Sequence, residues 1–209
     1  MSAPVRIGRS DVTELQERRR WESPFTSVVR HKSLVWELSK REVLGRYRGA
    51  SFGLAWSVIS PFLMLGVYAF AFGGVLKGRW PHEIGGDHPY AVVLFVGLIV
   101  HGFFAECITR APTLIVGNPN FVKRVVFPLD VLPWPMVLSA LFHALVNTGV
   151  LALLMLAVEH RLHASFVFVP LVFVPLLLLT VGIAWFLASF GVFFRDISQV
   201  MPVVATALL

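Results

Sequence analysis

The sequence predicts an all-α integral membrane protein, in which an N-terminal amphipathic interface helix is followed by polytopic transmembrane helices. Three observations lead to this class. The 209 residues are 56% hydrophobic and 14% charged, whereas a soluble domain carries about a quarter charged residues. The charge is unevenly placed, because residues 1–49 hold 11 of the 18 Lys and Arg. Beyond residue 49, apolar runs recur between short polar breaks. At 1.5 Å rise per residue, runs of about 25 residues cross a ~30 Å hydrocarbon layer with some tilt.

Residues 1–24 form a polar tail rich in Arg and Glu, with Arg18, Arg19 and Arg20 in a row and Pro24 as a breaker. Residues 25–49 read as the interface helix. Lys40, Arg41, Arg46 and Arg48 are interleaved there with Trp36, Val43, Leu44 and Tyr47. The apolar positions make no single stripe: Leu34 and Leu38 share one side, and Trp36, Val43 and Tyr47 share another. Long basic stems snorkel, so this pattern still suits a helix lying at a membrane surface; a soluble cytoplasmic helix is the alternative. Arg and Lys beside the first span place that end, and the N-terminus, in the cytoplasm. The net charge of +6 is therefore read as a topology signal and a contact to lipid headgroups, not as a nucleic-acid surface. The first apolar run begins near residue 50, too late for the apolar region of a cleavable signal peptide. The single Cys107 forms no disulfide within this sequence.

Residues 50–209 make the transmembrane domain. The first span covers about 50–76 and contains Pro61, where a kink is expected because proline removes one backbone donor. A Gly- and Pro-containing loop with balanced charge, Lys77 to Pro89, is assigned to the outer side. The second span, about 90–115, carries His101, Glu106 and Arg110. Glu106 and Arg110 are four residues apart, so they share a helical face and can pair. Ionisable groups inside a span are functional candidates, or they pair at the membrane interface. The segment at about 117–130 returns to the cytoplasm with Lys123 and Arg124. Asn118-Pro119 opens a short helix there that presents Phe121, Val122 and Val125 beside the two positive charges. That is a docking element in one reading and an ordinary interfacial turn in the other.

The third span, about 131–158, has prolines only in its first turn, where helices tolerate them. His143 and Asn147 lie four apart on it and can bond to a neighbouring helix. The fourth span, about 166–194, holds Pro170 and Pro175, and Arg195-Asp196 follow at the cytoplasmic face. A further apolar run from Val200 to Leu209 is expected to be the start of a fifth span, of which this sequence holds part.

Chemistry-bearing motifs are sparse. No G-x-x-x-x-G-K-[ST] loop is present to cradle a nucleotide phosphate. The seven His are scattered, and no metal-ligand spacing or Ser, His and Asp set stands out. A transport or anchoring subunit, not an enzyme, is expected, with energy supplied by a partner. A membrane-bound glycan-modifying enzyme and a plain scaffold are the competing classes.

Three stretches carry a resemblance: "LVWELSKREVLGRYRGASFGLAWSVISPFLMLGVYAFAFG", "NPNFVKRVVFPLDVLP" and "FGVFFRDISQV". Together they resemble the permease subunit of bacterial ABC-2 class polysaccharide exporters, the O-antigen and teichoic-acid export permeases. The resemblance implies six spans in the full family, a second copy of the chain, and two copies of a cytoplasmic ABC ATPase. This chain itself would bind no cofactor, with ATP and Mg held by the partner. It implies an inner-membrane location and a cargo of polysaccharide linked to undecaprenyl diphosphate; an ABC-2 permease for a drug or another lipid is the alternative. Asn118, Phe121, Val122, Lys123, Arg124 and Val125, with Arg195 and Asp196, would then be the ATPase-docking residues. Arg41, Arg46, Tyr47 and Arg48 would meet the lipid diphosphate, although topology alone also accounts for the cations. Trp56, Tyr68, Phe70, Phe72, Phe103 and Phe104 are candidates to line a sugar channel, or else packing and lipid-facing aromatics. Glu106 and Arg110 remain the intramembrane pair.

Overall fold

The computed structural model describes residues 24–71, 90–122, 128–159, 166 and 168–209. Phe72, Lys123, Arg124 and Val125 lie outside these, as do residues 1–23, the whole loop assigned to the outer side and residues 160–165. The described chain is helical throughout. In order it forms α1 (Pro24–Arg30), α2 (Lys32–Arg46), α3 (Trp56–Tyr68), α4 (Tyr90–Arg110), α5 (Pro119–Val122), α6 (Pro133–Glu159), α7 (Val169–Phe193) and α8 (Ile197–Ala207). Single 3-10 turns at Gly53–Ala55, Ala111–Thr113 and Leu129–Val131 lead into or out of the longer helices.

Four stretches are long and apolar enough to cross a membrane: Gly53–Ala71, Val92–Thr113, Leu129–Ala157 and Val169–Phe193. The protein is a multi-pass membrane protein. In hydrocarbon every backbone N–H and C=O must find its partner inside the chain, and the α-helix does this within one segment. Hydroxyl side chains in the spans follow the same rule. Thr109 donates to the Ala105 carbonyl, Thr148 to Ala144 and Thr180 to Leu176, each at 2.7–2.8 Å.

Helix α6 is the hub, packing against α2, α3, α4 and α7. Its buried side chains are Met136, Val137, Ala140, Ala144, Leu151 and Met155. They meet Phe95, Ile99, Phe103 and Cys107 of α4, Phe173, Val181 and Ala184 of α7, and Leu65 of α3 within one apolar cluster. Alanines at these crossings let the helix backbones approach, as is usual where lipid supplies no hydrophobic drive between helices. Helix α3 is the least enclosed span, with only Ser57, Pro61 and Leu65 buried.

Helix α2 differs from an apolar surface stripe. Apolar and polar residues are poorly segregated around it. It lies along α6, with Val35 and Ser39 buried and Leu34, Leu38, Glu42 and Val43 half-buried at the adjoining helical positions. Ser39 satisfies itself on the Val35 carbonyl at 2.7 Å. Trp36 faces outward at 68% exposure. The buried face is thus set by packing and polar pairing, which hydropathy alone does not register. The chain leaves α2 through Gly49, whose φ of +89° falls in the left-handed region that favours glycine at a helix C-terminus.

One tight approach between elements is at Gly191 of α7. A Cβ there would lie 2.2 Å from the Pro112 carbonyl oxygen, with Ala111 and Pro112 buried beneath it. No side chain fits, so Gly191→Ala should force the helix off the turn and cost about 1–3 kcal/mol. Gly149 of α6 has open space where a Cβ would stand, so Gly149→Ala should leave stability unchanged or raise it. Thermal denaturation of both variants in one detergent checks the contrast.

Candidate functional site

The basic end of the bundle gathers most of the polar chemistry among the described residues. Glu106 and Arg110, expected to pair along α4, do so, with the Arg110 Nη1 donating to Glu106 Oε1 at 3.0 Å. The pair belongs to a larger network reaching across to α2. Arg46 donates through both terminal nitrogens to the Glu106 carboxylate, one of these bonds at 3.3 Å. Arg110 also donates its Nη2 to Glu42 Oε1. The order Glu42–Arg110–Glu106–Arg46 alternates in sign and has zero net charge. These side chains are 20–37% exposed, as befits a membrane interface and not its centre.

Tyr47 follows Arg46 and lays its ring edge-on to His143 of α6, with centroids 5.7 Å apart. Burial pushes the Tyr47 phenol above its ordinary value, against the pull of the Arg46 charge, so it stays protonated. His143 has both ring nitrogens buried without a hydrogen-bond partner.

Helix α5 lies beside this network. Gly117 donates its N–H to the Thr113 carbonyl at 2.7 Å, and Asn118 turns its side-chain amide onto the Leu114 carbonyl at 2.8 Å. Pro119 then opens the short helix, where its missing N–H costs nothing. Phe121 is half-buried, and the Arg41 guanidinium of α2 stands 5.7 Å from its ring centroid, within cation–π range. Leu38, Arg41, Glu42, Asn118 and Phe121 all line one small cavity between α2 and α5. Helices α5, α2 and α4 are therefore in continuous contact through named side chains.

Arg195 and Asp196 are both exposed in the turn between α7 and α8, where the Asp196 carbonyl accepts from the Gln199 N–H at 2.9 Å. This turn follows Gly191, which rests on the same Ala111–Thr113 turn that leads to Asn118. Both expected docking points thus sit at one end of the bundle. A second anchor at that end joins α1 to α7. The Asp130 carboxylate accepts from Ser27 Oγ at 3.2 Å, and its backbone carbonyl accepts from Trp185 Nε1 at 2.9 Å.

The three cations expected near a diphosphate separate. Arg46 is committed to Glu106. Arg41 and the exposed Arg48 line an open groove on the outer face of α2, together with Lys40, Glu37, Leu34, Leu38, Leu44 and Gly45.

The aromatics expected in a channel also divide. Phe103 is buried and packs edge-on against Phe173 at 6.0 Å. Phe104 is half-buried beside the core cluster. Trp56 stands edge-on to Phe52, Tyr68 is half-buried and Phe70 is 72% exposed. Sequence reading did not single out the ladder formed by Phe186 and Phe190 of α7 with Phe194 just past its end, whose successive centroids are 5.5 and 4.9 Å apart. Their i, i+4, i+8 spacing was the signal that could have found them. Among the described residues, no three His, Cys, Asp or Glu come together in a way that could hold a metal.

The family model described as ABC-2 type transporter matches residues 33–209. The chain is 26% identical over 167 residues to an O-antigen export system permease protein RfbA of Klebsiella pneumoniae, covering 79% of this chain and 62% of that one. It is 25% identical over 174 residues to the protein of the same name from Myxococcus xanthus, covering 83% and 64%. It is 27% identical over 182 residues to the polysialic acid transport protein KpsM of Escherichia coli, covering 85% and 67%. The chain spans a little over three-fifths of the length of the O-antigen relatives it matches.

The charge network yields a prediction. Glu106 receives two guanidinium groups and Glu42 one, so Glu106→Gln should destabilise the folded protein more than Glu42→Gln. The Arg46–Glu106 coupling should be about 1 kcal/mol, allowing for solvent screening. A double-mutant cycle of Arg46→Ala and Glu106→Ala, read by melting in detergent, measures it.

Proposed function

Because the chain belongs to the ABC-2 type transporter family, we propose that it is the membrane-spanning subunit of an ATP-driven exporter of lipid-linked polysaccharide. Two copies pair in the bacterial inner membrane, with their N-termini cytoplasmic. Each engages one soluble ABC ATPase subunit, which holds the ATP and Mg. The cargo in this proposal is a glycan, in keeping with the O-antigen export named for the relatives in Klebsiella pneumoniae and Myxococcus xanthus, and its carrier is undecaprenyl diphosphate.

The observation that carries this reading is the unbroken link from α5 through α2 to α4. A displacement of Phe121 by an ATPase bears on Arg41. One residue along α2, Glu42 holds Arg110 of the second span. A docking element so connected can pass a push at the membrane surface into a spanning helix. Asn118, Phe121, Val122, Lys123, Arg124 and Val125 form the main docking surface in this proposal, and Arg195 with Asp196 the second one. The groove of Lys40, Arg41 and Arg48 receives the diphosphate, with the leucines beneath bearing on the isoprenoid chain.

Two experiments bear on the proposal. In a detergent pull-down with the candidate ATPase, Phe121→Ala together with Lys123→Ala and Arg124→Ala should release the ATPase. Loss of Phe121 alone should weaken retention by about 2 kcal/mol, or about thirtyfold in Kd. If a correctly folded protein retains no ATPase under any condition, the exporter reading fails. Separately, Lys40→Gln with Arg48→Gln should leave ATPase retention unchanged and lower export of surface polysaccharide. Unchanged export would remove the groove from the substrate path.

A further inference from the structure

Two turns far apart in the chain, one between α4 and α5 and one between α7 and α8, are joined to each other through backbone. A Cβ at Gly191 of α7 would stand 2.2 Å from the Pro112 carbonyl oxygen and 2.8 Å from its carbonyl carbon and Cα. On the other side of the same turn, a Cβ at Gly117 would stand 2.8 Å from the Thr113 carbonyl oxygen, which accepts the Gly117 N–H at 2.7 Å. The turn is thus gripped by a glycine on each side. Glycine weakens a helix interior relative to alanine, and Gly66, Gly97, Gly102, Gly149 and Gly182 all have open space where a Cβ would stand. Among the described span glycines, Gly191 is the one that packing requires.

The grip involves both arms of the α7–α8 elbow. Helix α7 packs along Ala111–Thr113, and α8 touches the same turn. Ala111 and Pro112 are buried under this contact, and Ile197 and Met201 of α8 lie against the core cluster. A side-chain contact can yield by changing rotamer. A helix backbone seated on a proline turn has no such freedom, because the ring fixes the Pro112 φ. Beyond the contact the two chains emerge with Val116 and Gly117 exposed on one side and Phe194, Arg195 and Asp196 exposed on the other. Apolar groups edged by charge are the composition of a protein interface.

We propose that Gly191 is a positioning residue that locks the two turns into one rigid, bipartite docking platform, on which a soluble protein partner engages both turns as a unit. That the partner is an ATPase rests on the exporter reading; the rigidity of the platform does not.

Spin-label distances in the whole chain, purified in detergent, test the rigidity. Cys107 is fully buried, so introduced cysteines at exposed sites take the label. The pair Val116→Cys with Asp196→Cys should give a distance distribution as narrow as Leu178→Cys with Val192→Cys, two exposed positions on the single helix α7. Ordinary contact begins at 3.4 Å, so an alanine Cβ at 2.2 Å requires the backbones to part by about 1.2 Å. Gly191→Ala should therefore shift or broaden the 116–196 distribution, whereas Gly182→Ala on the same helix should leave it unchanged. Should Gly191→Ala not fold, Gly117→Ala distorts the same turn from its exposed side and takes its place. A broad wild-type distribution, or an unchanged one in the folded variant, overturns the platform. Lost stability alone would lower the melting temperature without moving this distance.

ATPase binding to the folded fraction tests the docking. Two linked contacts lose their joint gain when geometry forbids both at once, so Gly191→Ala should weaken the ATPase Kd on the order of 10²-fold, with Gly182→Ala at the wild-type value. A wild-type Kd together with a shifted distance overturns bipartite docking. If the wild-type chain retains no ATPase, the exporter reading falls and the docking with it, while the distances still decide whether the platform is rigid.

Discussion

An apolar span that carries a carboxylate and a guanidinium one turn apart is stable only if both charges are answered. Glu106 and Arg110 partly answer one another, but a helix-surface pair at i, i+4 contributes only about 0.2–0.5 kcal/mol. The remaining capacity is taken by Glu42 and Arg46, and this requirement fixes where α2 must lie. With α2 held against the end of α4, its other flank falls along α6, and Tyr47 meets His143. Arg41 then reaches Phe121. The position of α5 relative to the spans is in this sense a consequence of four alternating charges at the end of the bundle.

Much of this was legible in the residues. Long uncharged runs have one stable form in hydrocarbon, so the four spans could be read from hydropathy and length. The Glu106–Arg110 pair could be read because its partners lie four residues apart on one helix. Arg46 and Glu42 lie 60 and 68 residues from their partners, and nothing local marks that meeting. The same holds for α2. Its packed face runs through the buried Ser39 and the half-buried Glu42, so a search for an apolar stripe divided its leucines from its aromatics. Phe103 and Phe70 look alike in sequence, yet one is packed on Phe173 and the other is exposed. Orientation about a uniformly apolar helix carries no periodic signal, and only packing settles it.

Helix α6 shows the converse case, where polar residues in a span mark a face. Ser139, His143 and Asn147 recur every four residues, and Asn147 lines an open pocket beside α3 and α4. The Ser139 hydroxyl and both His143 nitrogens are buried without protein partners. Such groups weaken a purely structural helix.

The charge network also bears on how the chain is made. A protein leaves the ribosome from its N-terminus, so Glu42 and Arg46 exist before Glu106 and Arg110 are synthesised. At roughly 5–20 residues per second, the 60 residues separating Arg46 from Glu106 take roughly 3–12 s to translate. The first pair is thus already in place when the second emerges. The span that carries Glu106 and Arg110 is therefore made after the side chains that answer their charges.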